Sequence, residues 1–114
     1  MNGPLQTKSY RFALDIVSLS RELMDRKEFI LSRQILKSGT AVGALIREAE
    51  FAESRKDFAS KMSISLKEAN ESRYWLDLLF DSGFIPKSQH LELRELCTEL
   101  IRMLVKTVKS ARLP

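Results

Sequence analysis

Residues 56–80, KDFASKMSISLKEANESRYWLDLLF, form one long helical pattern with two apolar faces. Phe58, Met62, Leu66, Ala69, Leu76 and Phe80 follow the i, i+4, i+8, i+11 spacing of a buried stripe. Ile64, Trp75 and Leu78 fall on a different side at about 100° per residue. One face can pack inside the chain's own core. The other needs a second surface to cover it. A chain built this way is restricted to helix-on-helix packing, with an apolar face left for assembly.

The remaining sequence divides into three further helical patterns. The expected helices run over about 7–25, 31–51, 55–82 and 88–111. Phe12, Ile16, Leu19 and Leu23 share one side of the first, with Thr7 or Ser9 expected to cap its start. The polar connection Arg26–Lys27–Glu28 follows, and Ser32 is the expected early cap of the second. Ser54 with Asp57 three residues later has the spacing of a capping box. Gly83 is placed to end the third helix, with Pro86 soon after. In the fourth, Leu93, Leu96, Cys97, Leu100, Ile101, Leu104 and Val108 point inward. No run alternates like a strand, and short connections make neighbouring helices antiparallel. The predicted fold is all-α, a single-domain, up-down-up-down antiparallel four-helix bundle.

The middle of helix 2, SGTAVGAL (Ser38–Leu45), places Gly39 and Gly43 one turn apart. Each costs roughly 1 kcal/mol in a helix interior relative to Ala, a cost tolerated where another backbone comes close. The plainer explanation is a tight helix crossing inside one bundle. The alternative is a subunit contact. Lys37 and Arg47 exclude a transmembrane glycine motif.

These segments resemble the four-helix-bundle family named for intervening sequences in bacterial 23S rRNA genes. The carrying residues are KSGTAVGALIREA (Lys37–Ala49), KDFASKMSISLKEANESRYWLDLL (Lys56–Leu79) and DSGFIP (Asp81–Pro86). The similarity covers nearly the whole chain. It departs at Leu45, where family members commonly have Asn, and at Ala41, where they often have Ser. The resemblance implies a homo-oligomer, with a ring-shaped pentamer the best-known form. It also implies kinship with the nucleic-acid-binding accessory proteins of diversity-generating retroelements. It does not bring a defined biochemical role.

Motifs for catalysis are lacking. There is one histidine, His90, and one cysteine, Cys97, with no Glu-x-x-His motif and no phosphate loop or nucleophile elbow. His90 is expected on the surface and Cys97 in the core. No metal or cofactor is expected. Glu68 and Glu71 lie on the side of Ile64 and Trp75, where Arg47 or Lys61 could meet them across helices or subunits, most simply as ion pairs bordering an apolar patch. Lys67–Glu71, Asp57–Lys61 and Glu22–Arg26 have ordinary i, i+4 spacing.

One charged feature stands apart. Arg102, Lys106, Lys109 and Arg112 follow i, i+4, i+7, i+10, and no acidic residue lies between Arg102 and the end. The plainer explanation is solubility and interaction with the helix C-terminal dipole. The functional one is phosphate contact, multiplied by symmetry in an oligomer. The net charge of +4 permits nucleic-acid binding without requiring it. With one cysteine, no signal-like N-terminus and no membrane-length apolar run, the expected location is the cytoplasm.

The sequence thus favours a non-enzymatic oligomer that binds RNA or DNA, structured RNA above all, through Arg102, Lys106, Lys109 and Arg112. Ile64, Tyr74, Trp75 and Leu78 are the expected subunit interface. An adaptor for an unknown protein partner is the alternative. An enzyme with a metal or cofactor in the bundle core ranks last, because inward positions lack ligands.

Overall fold

The structure is a computed structural model that describes residues 3–114. Four helices account for it: α1 (Pro4–Asp25), α2 (Phe29–Ala49), α3 (Arg55–Asp81) and α4 (Lys87–Ala111), with no strand among the described residues. Successive helices lie side by side in an up-down-up-down bundle measuring 48 × 22 × 20 Å. α1 and α4 close the ring more loosely than the other neighbours. Across that seam the Lys8 ammonium pairs with Glu99, and Gln89 Nε2 donates to Glu22 at 3.1 Å.

Helix ends follow local chemistry, with two corrections. α1 begins before Thr7 and Ser9: Pro4 occupies the first turn, where a missing N–H costs nothing, and Thr7 N–H donates to the Gly3 carbonyl at 3.0 Å. α2 begins before Ser32. Glu28 is its cap, accepting from Leu31 N–H at 2.9 Å. Ser54 does cap α3, accepting from Asp57 N–H at 3.0 Å, while Asp57 accepts from Glu53 N–H at 3.2 Å.

Both hairpin turns at one end of the bundle close the same way. Phe84 N–H reaches the Leu79 carbonyl and Gly83 N–H the Phe80 carbonyl, with Gly83 at φ 85°. Glu28 N–H reaches Leu23 and Lys27 N–H reaches Met24 in the same pattern, with Lys27 in the glycine-like position at φ 64°. Arg26 ties the two turns together, donating to the Phe84 carbonyl and lying over its ring.

The core is Phe12, Ile16, Leu19 and Leu23 of α1, Ile35, Val42 and Ile46 of α2, Leu76 and Leu79 of α3, and Leu93, Cys97, Leu100 and Leu104 of α4. The buried stripe of α3 differs from the apolar one read from sequence. Ala59, Met62, Ser65, Ala69, Ser72, Leu76 and Leu79 are buried. Phe58, Leu66 and Phe80 pack half-buried at its border. Serine completes the helix contacts elsewhere too, with Ser9, Ser20, Ser32 and Ser38 buried. Small hydroxyl side chains let helices approach, and each finds a partner. Ser65 donates to the Val42 carbonyl at 2.9 Å, Ser72 pairs with Ser38 at 2.9 Å, and Ser20 pairs with Ser32 at 2.6 Å. Gly39 and Gly43 lie at the α1–α2 crossing, facing Ile16 and Ser9, so the glycine pair serves packing within the bundle.

Candidate nucleic-acid interface

α4 is divided by charge along its outer side. Glu92 and Glu95 are exposed in its first half; Arg102, Lys106 and Lys109 are exposed in its second, with Arg112 just past its end. Packing adds cations that sequence spacing did not connect with these. A groove of about 690 Å³ lies between the start of α3 and the end of α4, lined by Arg55, Lys56, Ser60, Ser63, Lys67 and Arg112, among others. No carboxylate among the described residues lines it. A neighbouring hollow of about 560 Å³ brings Lys106 beside Arg55 and Phe58.

Arg55 holds this corner together. Its Nε donates to the Ala111 carbonyl at 3.0 Å and its Nη2 to the Ser110 carbonyl at 3.3 Å. A guanidinium thereby satisfies carbonyls left open at the end of α4, where the helix dipole favours positive charge. Lys56, Lys67 and Arg112 form no ion pair among the described residues. Their charges remain available to an anion, and the Ser60 and Ser63 hydroxyls add hydrogen-bonding groups between them. The signal was present in the sequence, as Lys56 and Lys67 on α3. Only the α3–α4 packing brings them beside Arg112.

The residues expected at a subunit interface divide. Ile64 and Tyr74 are exposed; Trp75 and Leu78 are half-buried, and Trp75 packs against its own core. Trp75 Nε1 donates to Glu71 at 3.0 Å, and its ring meets Tyr74 edge-on. Within the chain, neither Arg47 nor Lys61 pairs with Glu68 or Glu71 among the described residues. Lys61 instead pairs with Glu48 at 3.2 Å. Arg47 lies on the other side of α2, in a groove against α1. The Glu68 carboxyl is raised above its ordinary range by burial and by the neighbouring Glu71 charge, with Lys37 opposing. None of the three i, i+4 ion pairs expected from spacing forms among the described residues. Asp57 is occupied as a cap, and Lys61 reaches across to α2.

His90 is not the surface residue expected. Its side chain is only 12% exposed, stacked on Phe80 at 4.4 Å between ring centres, with Nε2 2.7 Å from Asp77. Arg94 Nε donates to the same Asp77 oxygen at 2.9 Å. Burial alone would raise the Asp77 carboxyl, but the bonds from His90 and Arg94 outweigh it and hold it below the usual carboxylate range. The cluster joins α3 to α4. Cys97 is buried as expected, donating to the Ala69 carbonyl at 3.1 Å, and burial pushes its thiol up to about 12. It is held in the form that is a poor nucleophile.

Residues 4–106 match the family described as 23S rRNA-intervening sequence protein. The chain belongs to this family. A similar fold occurs in the crystal structure of a protein with unknown function from the S23 ribosomal protein family of Bacteroides thetaiotaomicron VPI-5482. That protein is 46% identical, and the similarity covers 92% of this chain and 98% of that one, with a TM-score of 0.91. No curated protein matches the chain. The family and the four-helix fold expected from the resemblance are both found. Within this 23S rRNA-intervening sequence protein, Lys56, Lys67, Arg102 and Lys106 lie inside the matched range, and Lys109 and Arg112 lie beyond it. No helix among the described residues is long and apolar enough to cross a membrane.

Proposed function

We propose that this member of the family is a non-catalytic, oligomeric bundle that binds the phosphate backbone of structured RNA. The observation that carries the proposal is the carboxylate-free groove between α3 and α4, where Lys56, Lys67 and Arg112 converge beside the exposed Lys106. Arg102 and Lys109 extend that surface along the outside of α4. Such a surface contacts phosphates and does not read base edges, so recognition is led by shape and charge. The chain's histidine and cysteine are committed to structure: His90 is held against Asp77 and Phe80, and Cys97 is buried as a thiol.

The test is binding of a labelled structured RNA across a salt series. Neutralising about six phosphates per chain, one for each of these cations, gives a slope of log K against log salt of about −4 to −5 per chain engaged. Changing Arg102, Lys106, Lys109 and Arg112 together to Gln should abolish binding at moderate salt. Changing Lys56 and Lys67 to Gln should lower the slope by about two. No binding at low salt, or binding indifferent to salt, would sink the proposal and direct the search to protein partners.

A further inference from the structure

The hollow beside the basic groove differs in character from the groove itself. Both lie between the start of α3 and the end of α4, and they share Arg55 and Ala111. The hollow, of about 560 Å³, also contains an aromatic ring. Phe58 stands there with Arg55 and Lys106, and Thr107 and Ser110 complete the wall. Phe58 is half-buried and packs against the core, so its remaining surface is what the hollow presents. Arg55 and Phe58 are three residues apart and share a side of α3. Lys106 and Ser110 are four apart and share a side of α4. The ring is thus flanked by one cation from each helix.

Charge and shape together indicate the occupant. No carboxylate among the described residues lines the hollow. Lys106 is exposed and forms no ion pair among the described residues. The Arg55 guanidinium is held in place by the Ala111 and Ser110 carbonyls at 3.0 and 3.3 Å, which leave its charge unneutralised. A purely apolar side chain would cover the ring and gain nothing from the two cations. An anion without a ring would use the cations and leave Phe58 wet. A nucleotide answers both, with a flat base to stack on the ring and a phosphate for the cations. Bases within a duplex are stacked on one another and cannot reach Phe58, whereas an unpaired base in a bulge or loop can. A backbone lying along the basic groove reaches the mouth of the hollow at Arg55, which borders both.

We infer that the Phe58 hollow receives one unpaired nucleobase of the bound RNA, stacked on the ring, with its phosphate at Lys106. This inference rests on the RNA reading above and names the RNA feature recognised: a bulge or loop beside a stem. Stacking accepts any base, because each has a π-face, so the preference is for an unpaired position and not for a sequence.

The test compares two labelled hairpin RNAs that differ by a single bulged adenosine in the stem. Wild type should bind the bulged RNA about tenfold more tightly at the same salt, within the range one stacked base contributes. Phe58→Leu, which keeps an apolar side chain against the core, should bring that ratio close to one. Phe58→Tyr, which keeps the ring, should retain it. Circular dichroism checks that both variants remain helical. With 2-aminopurine in place of the bulged adenosine, binding to wild type should shield the base from acrylamide quenching, a readout on the unaltered protein. If neither RNA binds at low salt, the RNA reading fails and the inference falls with it. If both bind wild type equally, if Phe58→Leu keeps the preference, or if the bound 2-aminopurine stays open to acrylamide, the stacking assignment is overturned while the RNA reading stands.

Discussion

Gly39 sets how closely α1 and α2 approach. A Cβ at that position would stand 2.8 Å from both Cγ1 and Cγ2 of Ile16, and Ile16 is fully buried with no room to swing aside. Gly39→Ala would gain about 1 kcal/mol in helix propensity. It would lose about 1–3 kcal/mol to overpacking. The overpacking should win, so the urea midpoint of Gly39→Ala should fall, against the direction propensity predicts. At Gly43 the nearest atom is Ser9 Oγ at 3.3 Å, which leaves nearly enough space. Gly43→Ala should therefore be much milder. A midpoint for Gly39→Ala at or above wild type would show that the crossing has slack. His90 illustrates the same dependence on neighbours. Its position in the first turns of α4 gave no sign that Asp77 and Phe80 of α3 would enclose it.

At the scale of elements, α2 and α3 are joined by apolar contact and by serine. Ser72 and Ser38 pair at 2.9 Å in a fully buried setting, and Ser72 also donates to the Glu68 carbonyl at 2.8 Å. Removing one hydroxyl leaves the other without its cross-helix partner, a loss of about 1–3 kcal/mol. Removing both leaves no orphan. Denaturant unfolding of Ser38→Ala, Ser72→Ala and the double variant should therefore give a double change costing clearly less than the sum of the singles. Additive costs would show that the two hydroxyls act independently. These serines also explain why the apolar period of α3 and its buried stripe differ. Apolar periodicity counts Phe58, Leu66 and Phe80 as core and passes over Ser65 and Ser72. A neighbouring helix supplies partners that make small hydroxyls good interior residues.

At the scale of the whole molecule, the basic groove and the outer apolar side of α3 adjoin, since Ile64 lines the groove beside Lys67. The basic groove is on α3 and α4, and a second groove is on α1 and α2. An oligomer of the kind proposed above would repeat the basic groove with its symmetry. Linked sites gain affinity without new contacts, by 10²-fold or more when geometry allows. A variant made monomeric should thus bind a long structured RNA on the order of 10²-fold more weakly than wild type, while keeping the same salt slope per chain. Equal affinities would mean that one subunit engages the RNA alone. The sequence by itself determined the four helices, most of their ends and the central core of α1 and α4. These follow from local signals: a 3.6-residue period, Ser54 before Asp57, and Gly83 where φ must be positive. Tertiary structure alone decided which polar groups were interior and which charges became neighbours. Lys56 and Arg112 are separated by most of two helices in the chain, and Tyr10 and Ala44 by more than one. They share a groove only because packing returns each helix alongside another, and no periodicity within a single helix records that return.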